Sequence, residues 1–399
     1  MANREWDLAK QTRIRRERDA KTHCVVFFCS SAGEYEQARP LASRLLELPQ
    51  TYVHFLFFSQ SGYSFAVQRK ETIPFSLSPL DSLGNWRKIF AILRPQVFVV
   101  VRHELWPCCL WLARQRSKVL LVNASLQTRG RVSIFLKSLL LSLVDKIYTV
   151  SEQERLSFQH QFANVQTNIL AVGDSKYDRV LERAAALQGF ARFPMLEQSR
   201  PRLVVGSAWK KDCELALSAF TLFKAKHAGP AQLVLAPHQP NSEFISWLEQ
   251  ECAKTSLPWA RLSQLASSVT APEMIIVDSV GLLFDLYGVC DLAFVGGALH
   301  HKVHNVLEPA AFSLPLAFGP FFENSHEACE IFEKGLATVV HNAKELLSWM
   351  EPLLLQPQKN QALQQFLASK AGATDRILLE IATEFRAVPE SKQVAMQHS

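Results

Sequence analysis

The stretch that decides the fold runs from Asp291 to Pro320 and reads DLAFVGGALHHKVHNVLEPAAFSLPLAFGP. It opens with the apolar run Leu292–Val295, which has the length of a buried strand. Two glycines follow at positions 296 and 297, where the chain can turn and a ligand can approach the backbone closely. A polar loop containing three histidines comes next, and the run Pro315–Phe318 predicts another buried strand.

The end of that loop predicts a short helix starting at Glu308, with Asn305 as its N-cap and Pro309 tolerated in its first turn. A strand, a glycine turn and a helix N-terminus form an anion site, because free N–H groups and the positive end of the helix dipole face the ligand. Glu308 is placed to accept hydrogen bonds from sugar hydroxyls. The stretch therefore indicates a nucleotide-sugar site, and an ordinary strand–loop–helix crossover is the alternative.

Length and composition indicate a globular protein of two domains. A chain of 399 residues is too long for one compact core, and 48% hydrophobic with 20% charged residues is typical of soluble domains. No apolar run reaches the roughly 18 residues that a membrane span needs, and the charged N-terminus predicts no secretory signal. The 8 cysteines lack metal-ligand spacing, so we expect free thiols in a reducing cytoplasm.

Part of the net charge of +6 is concentrated in residues 1–22, where basic side chains outnumber acidic ones. Such a segment suits an anionic membrane surface or an anionic ligand. A solvated helix of mixed charge is the alternative. Nothing in the pattern indicates a nucleic-acid partner.

Short apolar runs alternate with amphipathic stretches in two successive series, which predicts parallel strands joined by crossover helices. The first series of strands is Cys24–Cys29, His54–Phe58, Val97–Val101, Val119–Asn123 and Lys146–Val150, with a further strand at 171–173. The second series is Arg202–Val205, Gln232–Leu235, Met274–Val277, Leu292–Val295, Pro315–Phe318 and Ala337–Val340. The fold class is therefore α/β, with two doubly wound, Rossmann-like domains facing a cleft.

The domain boundaries follow from where this rhythm breaks. We predict a basic segment at 1–22, an N-terminal domain at 23–180, a linker at 181–200 and a C-terminal domain at 201–399. The pattern of residues 361–386 predicts one long helix. Packing of this last helix back on the N-terminal domain is one arrangement that the sequence allows. Ligand sites are expected at the carboxyl ends of the strands.

Three charged residues follow predicted strands of the first domain. Glu34, in Ser30-Ser-Ala-Gly-Glu34, is placed to act as a general base toward an alcohol, and a role in complementing the helix dipole is the alternative. Glu104, in Glu104-Leu-Trp-Pro107, brings a second acid to the same sheet edge. Lys176, in Gly173-Asp-Ser-Lys176-Tyr-Asp178, is placed to meet a phosphate or carboxylate. A solvated surface residue is the alternative for each.

Two stretches of the second domain carry further candidates. Pro237 and His238 follow a predicted strand, where the histidine is placed to bind a phosphate. Gly206-Ser-Ala-Trp-Lys210 is a glycine turn that lacks the spacing of a P-loop. The histidines of the 291–320 stretch invite a metal interpretation, but no fixed carboxylate spacing supports it, so we predict no metal site. The three histidines in question are His300, His301 and His304.

In their order and spacing, these motifs resemble the 3-deoxy-D-manno-octulosonic acid (Kdo) transferases, which are two-domain GT-B glycosyltransferases of lipopolysaccharide synthesis. The likeness covers residues 24–340. It rests on Ser-x-Gly-Glu, Glu-Leu-Trp-Pro, Gly-x-x-Lys-Tyr-Asp, Ala-Pro-His-x-Pro and Gly-Gly…His-Asn-x-Leu-Glu-Pro-Ala. The first and last of these motifs are the specific ones.

The resemblance implies an inverting, metal-independent transfer of Kdo from CMP-Kdo to a lipid A precursor, without a cofactor, at the cytoplasmic face of the inner membrane. It implies Glu34 as proton acceptor, with Glu104 and Lys176 supporting the transition state. The CMP contacts that it implies are Pro237, His238, Gly281, Leu282, Leu283, Asn305, Val306, Leu307 and Glu308. We expect a helix N-terminus at Gly281 and another near Asn305 to hold the phosphate and the ribose. With no transmembrane anchor in the sequence, the basic N-terminal segment is expected to attach the enzyme peripherally to anionic lipid.

The sequence departs from the family pattern at several points. His238-Gln239 stands where family members usually carry Arg-His, and Leu282 replaces an acid. Arg102 replaces the first acid of Glu-x-Glu-Leu-Trp-Pro, and Lys302-Val303 stands in place of a second glycine pair. Two alternatives therefore stay open: a GT-B enzyme with another donor or acceptor, and a non-catalytic descendant that binds a nucleotide sugar or lipid. Retention of Glu34, Glu104 and Lys176 argues against the second.

Overall fold

The computed structural model describes residues 8–102, 104–126, 131–187, 189, 193–196, 200–265 and 272–386. The chain forms two compact units. The first contains the residues up to Arg179 together with those from Lys370 onward, and the second contains Val180–Ser369. Residues 1–7 of the predicted basic segment, and 188, 190–192 and 197–199 of the predicted linker, lie outside the described residues.

The first unit is built on a 7-stranded parallel sheet of order β3-β2-β1-β4-β5-β6-β7. Its strands are β1 (His23–Cys29), β2 (Thr51–Phe57), β3 (Phe75–Leu77), β4 (Val97–Val101), β5 (Lys118–Ala124), β6 (Lys146–Thr149) and β7 (Asn168–Ala171). Its helices up to the second unit are α1 (Leu8–Asp19), α2 (Ala32–Glu47), α3 (Gln60–Gln68), α4 (Leu83–Leu93), α5 (Pro107–Arg116), α6 (Arg131–Leu141), α7 (Glu152–Gln161) and α8 (Ser175–Ala185).

Helices cover both faces of this sheet, which is why its central strands are continuous apolar runs. Along β1, Val26 and Phe28 belong to the core on one face, while Val25 and Phe27 belong to the core on the other. Strand order reverses between β1 and β4, because β2 and β3 lie on one side and β5 to β7 on the other. In doubly wound folds ligands bind at this switch point, beyond the carboxyl ends of the strands.

The last helix of the described chain completes the first unit. The predicted single helix at 361–386 is wrong: the structure has α15 (Gln361–Lys370) and α16 (Ala373–Arg386), broken where Gly372 takes a φ of 94°. Ile377 and Ile381 of α16 are buried in the core beside β1 and α2. The carboxylate of Asp178 accepts hydrogen bonds from the N–H groups of Gly372 and Thr374, at 2.5 and 2.7 Å.

The charged segment that the sequence identified at the N-terminus includes helix α1. Ile14 is buried against the first core, and the Nε of Arg18 donates to the carbonyl of Leu93 at the end of α4, at 3.0 Å. Arg15 and Arg16 are exposed. Part of the basic charge therefore caps a neighbouring helix, and part faces solvent. Among the helices that the structure describes, none is long and apolar enough to cross a membrane.

The second unit repeats the plan with a 7-stranded parallel sheet of order β10-β11-β9-β8-β12-β13-β14. Its strands are β8 (Arg202–Ala208), β9 (Gln232–Pro237), β10 (Trp259–Arg261), β11 (Met274–Ile276), β12 (Leu292–Val295), β13 (Leu316–Phe318) and β14 (Thr338–Val339). Its helices, beside α15, are α9 (Lys210–Lys226), α10 (Ser242–Ala253), α11 (Leu283–Tyr287), α12 (Leu307–Ala311), α13 (His326–Glu333) and α14 (Ala343–Leu355).

The switch point of the second sheet lies between β8 and β12. The stretch from Asp291 to Pro320 thus supplies β12, the glycine turn, α12 and β13, as the sequence predicts. The edge strands β3 and β10 are not predicted by the sequence. Both are 3 residues long and lack a continuous apolar run, because a polar or charged residue interrupts each of them. Strand β10 is half-buried throughout.

Candidate functional site

The turn after β1 places Glu34 at the carboxyl edge of the first sheet. Ser31 is the N-cap of α2, and its Oγ accepts from the N–H of Glu34 at 3.3 Å. The carboxylate of Glu34 turns back and accepts from the N–H of Ser30, at 2.5 Å. The side chain is nearly buried, at 3% exposure. The sequence Ser-Ser-Ala-Gly-Glu thus fixes a carboxylate at the β1–β4 switch point.

Glu104 reaches the same edge from the end of β4. Its carboxylate accepts from the indole Nε1 of Trp106 at 2.9 Å, and that indole packs on the ring of Phe58 with centroids 4.3 Å apart. Trp106 is also the N-cap residue of α5, and Pro107 occupies the first helical position, where no N–H is needed. The Glu-Leu-Trp-Pro motif therefore combines a helix start with an oriented carboxylate.

A cysteine at the end of β1 is influenced by both carboxylates. Cys29, the last residue of β1, is fully buried. Burial raises the pKa of its thiol well above 9.0, and the charges of Glu34 and Glu104 raise it further. Both carboxylates therefore act electrostatically on the same thiol. The thiol itself stays protonated and is no nucleophile.

An aspartate that the sequence analysis missed holds the start of α5. The carboxylate of Asp81 accepts from the N–H groups of Cys108 at 3.1 Å and Cys109 at 3.0 Å, and from the indole Nε1 of Trp86 at 2.8 Å. It thereby caps the helix that follows Glu104. The position of Asp81 directly before Ser82, the N-cap of α4, marks a turn in the sequence but not this distant partner.

Lys176 lies in the first turn of α8, and its ammonium pairs with the carboxylate of Asp174 at 3.1 Å. The preceding residue fixes this turn to the rest of the edge. Ser175 receives a hydrogen bond from the amide of Asn123, at the end of β5, at 2.7 Å, and donates to the carbonyl of Gln37 in α2 at 2.7 Å. The motif thus ties three elements of the first unit together beside Glu34.

The switch point of the second sheet carries a cluster of aromatic rings. The indole Nε1 of Trp209 donates to the Nε2 of His304 at 2.9 Å, so that nitrogen is unprotonated. The rings of His304 and His238 stack with centroids 4.2 Å apart. Burial, together with the charges of His238 and Lys302, lowers the pKa of His304 to about 4. His304 is therefore neutral at physiological pH, and His238 remains exposed.

Asp212 holds this cluster together, and the sequence analysis missed it too. Its buried carboxylate accepts from the N–H of Trp209 at 2.8 Å and from that of Gly297 at 2.9 Å. Burial raises the pKa of this carboxyl group, and the two hydrogen bonds offset only part of that rise. A β-carbon at Gly296 would lie 2.7 Å from the same carboxylate, and Gly297 has a φ of 94°. Both glycines of the stretch are therefore required by the backbone.

Gly206, near the end of β8, packs closely against Tyr287 and Leu283 of α11. A β-carbon at Gly206 would lie 3.2 Å from Leu283 and would clash with the hydroxyl of Tyr287. Burial and the charge of Glu308 raise the pKa of Tyr287 well above 10.0. Asn305 is exposed, and its Oδ1 accepts from the N–H of Leu307 at 3.1 Å.

Two details of the predicted helix starts are wrong. The N-cap residue of α12 is Val306 rather than Asn305, because the Asn305 side chain bonds the second residue after it in a local turn. Helix α11 begins at Leu283 rather than Gly281, since Gly281 has a φ of 81°. Each of these helices has 5 residues, so its dipole attracts an anion less strongly than a longer helix would.

The predicted CMP contacts are distributed over three strand ends of the second sheet. Pro237 ends β9 and His238 follows it, while Leu282 precedes α11. The four residues 305–308 follow β12. In the described part of the chain, no group of three or more His, Cys, Asp or Glu side chains is placed to hold a metal ion. The rings of His300 and His301 lie against Trp209 instead.

Comparison with known proteins first defines the class. The structure of UDP-GlcNAc 2-epimerase from Neisseria meningitidis, bound to UDP-GlcNAc, superposes with a TM-score of 0.61 over 90% of this chain and 100% of that chain, at 12% identity. This likeness concerns the fold alone. Two doubly wound parallel-sheet units with this architecture form the GT-B class, as the sequence predicts.

Sequence relatives then identify the family. The profile of the 3-deoxy-D-manno-octulosonic-acid transferase (kdotransferase) family matches residues 7–179. The 3-deoxy-D-manno-octulosonic acid transferase of Haemophilus influenzae is 26% identical over 89% of this chain and 85% of its own length. A bifunctional glycosyltransferase/methyltransferase of Fusobacterium nucleatum is 24% identical over 85% of this chain, which spans only 54% of that relative. The chain is similar to the Kdo transferases over most of its length, and the predicted resemblance is confirmed.

Proposed function

We propose that the protein is an inverting glycosyltransferase that moves Kdo from CMP-Kdo to a lipid A precursor. The observation that carries the proposal is the placement of Glu34 and Glu104 after the carboxyl ends of β1 and β4, at the switch point of a unit that matches the Kdo transferase family. A buried carboxylate beside a strand end is what deprotonation of a sugar hydroxyl requires.

In the proposed mechanism the first unit binds the acceptor. The carboxylate of Glu34 takes the proton of the acceptor hydroxyl, and that oxygen forms a bond to the anomeric carbon of Kdo. The bond from this carbon to the phosphate oxygen of CMP breaks on the opposite face, which inverts the configuration. Lys176 and Glu104 balance charge as the transition state forms. No metal takes part in this scheme.

The second unit supplies the donor site of the proposal. His238 is exposed next to the ring of His304, where it can contact the donor phosphate. Glu308 is half-buried near Tyr287, and we assign it to the ribose hydroxyls. The remaining assigned contacts are Pro237, Gly281, Leu282, Leu283, Asn305, Val306 and Leu307.

The test is turnover of freshly generated CMP-Kdo with a lipid A precursor by the wild type and by Glu34→Gln. The amide keeps an oxygen for the N–H of Ser30 but cannot take a proton. We expect a loss of about 10²- to 10⁴-fold in kcat. Glu47→Gln, at the exposed end of the same helix, is the matched control and should retain full turnover. Full turnover by Glu34→Gln at unchanged melting temperature would refute the mechanism.

A GT-B transferase with another nucleotide-sugar donor is the second candidate. It is favoured by His238, which occupies a position where the resemblance implies arginine and binds phosphate more weakly and pH-dependently. Calorimetric titration with CMP, UDP and ADP separates the two candidates. Tighter binding of UDP or ADP than of CMP would replace Kdo transfer by this alternative.

We further propose that α1 attaches the protein peripherally to an anionic membrane surface on the cytoplasmic side. Arg15 and Arg16 are exposed on this helix, and each basic residue near such a surface contributes about 1 kcal/mol. Cosedimentation with phosphatidylcholine vesicles, with and without phosphatidylglycerol, tests it. The double variant Arg15→Gln/Arg16→Gln should bind the anionic vesicles more weakly. Equal binding by variant and wild type would contradict the proposal.

A further inference from the structure

Arg102 lies at the β1–β4 switch point. It follows β4 directly, and its N–H donates to the carbonyl of Val122 on β5 at 2.8 Å. Strand β4 pairs with β1 on one side, up to Phe28 and Val100. It pairs with β5 on the other side, up to Val101 and Val122, and Asn123 is the next residue of β5. Arg102 therefore follows the strand that lies between β1, which leads into the Glu34 turn, and β5, which carries the residue that holds the Lys176 turn.

The backbone at this position is held in an unfavourable conformation. Arg102 has a φ of 64°, in the left-handed region that residues other than glycine rarely adopt. Its neighbour Asn123 has a φ of 53°. Such conformations cluster at functional sites, because the surrounding structure has to maintain them.

Within the described residues, the fold does not use the Nε of the Arg102 guanidinium. Its Nε is buried and has no hydrogen-bond partner within the described part of the chain. The nearby carboxylates have other donors, since Glu34 accepts from Ser30 and Glu104 accepts from Trp106. The side chain as a whole is partly exposed. A buried N–H without a partner is costly, and an oxyanion from a ligand is the partner that suits a guanidinium best.

We propose that Arg102 binds an oxyanion carried by the acceptor, next to the hydroxyl that is glycosylated. The inference rests on the proposed function and names a residue of this chain that recognises the charge of the acceptor. Two carboxylates at this edge repel an anionic acceptor, and a guanidinium at the same edge offsets that repulsion. The oxyanion is either a phosphate on the acceptor sugar or the carboxylate of a Kdo residue already attached.

The test measures equilibrium binding of three soluble glucosamine disaccharides by calorimetry. One carries a phosphate, one carries Kdo without phosphate, and one is neutral. The variants are Arg102→Asn, which tolerates the positive φ, and Arg102→Lys, which keeps the charge without the bidentate geometry. Arg116→Asn, exposed at the far end of α5, is the matched control.

We expect Arg102→Asn to weaken binding of an anionic disaccharide about 10- to 100-fold, with Arg102→Lys in between and the neutral sugar unaffected. The disaccharide that loses affinity identifies phosphate or carboxylate as the source. In turnover, Arg102→Asn should raise the KM for that acceptor and leave kcat nearly unchanged. Equal losses for charged and neutral sugars, or no loss at all, would overturn the assignment.

The two proposals fail in distinguishable ways. A wild type that transfers Kdo while Arg102→Asn binds and reacts normally overturns the Arg102 assignment alone. A wild type that binds acidic sugars through Arg102 but transfers no Kdo overturns the proposed donor and reaction alone. Wild-type protein that binds none of the three sugars contradicts the assignment as well.

Discussion

Replacement of Asp81 by alanine tests how the Glu104 turn is held. The substitution removes a carboxylate that accepts from two amides at the start of α5 and from the indole of Trp86. Loss of a helix cap costs about 1 kcal/mol. Trp86 is 1% exposed, so its N–H is left without water, which costs a further ~1–3 kcal/mol. We expect Asp81→Ala to lower the free energy of unfolding by about 2–4 kcal/mol.

Asp81→Asn separates the two contributions. The amide keeps one oxygen for the helix cap or the indole, so we expect a loss of only about 1 kcal/mol. Asp19→Ala is the control, because its carboxylate is 48% exposed and pairs with Arg94 at the surface. Exposed pairs of that kind contribute at most about 1 kcal/mol.

The assay is urea unfolding followed by circular dichroism, with native-state hydrogen exchange at the amides of Cys108 and Cys109. Both amides should exchange faster in Asp81→Ala, because they lose their acceptor. A variant within about 0.5 kcal/mol of the wild type, with both amides still protected, would refute the reasoning. If the two units unfold in separate transitions, the free energy of unfolding is taken from the transition of the first unit, which contains Asp81.

Three more outcomes are expected. Asp178→Ala should remove the cap of α16 and lower the free energy of unfolding by about 2–3 kcal/mol. Limited proteolysis should then cut α16 in the variant, and a helix as resistant as in the wild type would contradict this. Trp209→Phe removes the N–H that favours the neutral form of His304, so its pKa should rise above about 4 in an NMR titration but stay below 6.5, because burial still lowers it. Because the folded pKa is the lower one, stability falls as pH drops from 6.5 toward 4, and this variant should soften that fall. Gly296→Ala places a β-carbon 2.7 Å from the Asp212 carboxylate and should lower the melting temperature.

The sequence was most informative where both faces of a strand are buried. Val97–Val101 and Leu292–Val295 are continuous apolar runs, and the structure has strands with those bounds. Three-residue edge strands such as Phe75–Leu77 carry no comparable pattern. The helix predicted across 361–386 fails at Gly372, because a single glycine in a helical pattern does not reveal a positive φ.

The residues of the candidate site also fall into those that the sequence pattern reveals and those that it does not. Glu34 and Glu104 could be found from sequence because each follows a strand whose end is visible in the pattern. Asp81, Asn123 and Asp212 could not, because their partners lie 27, 52 and 85 residues away along the chain. Such contacts form only once the sheet brings the strand ends together. Local propensity therefore predicts the proposed catalytic groups better than the residues that position them.

The return of α16 to the first unit has a consequence for biosynthesis. The bond from Gly372 to Asp178 joins residues 194 apart, with the whole second unit between them. On the ribosome, the face of the first sheet that Ile377 and Ile381 cover stays open until that helix emerges. The first unit is therefore the last to be completed, although its strands are made first. A fragment that stops at Arg179 should expose this apolar stripe and depend on chaperones to remain in solution.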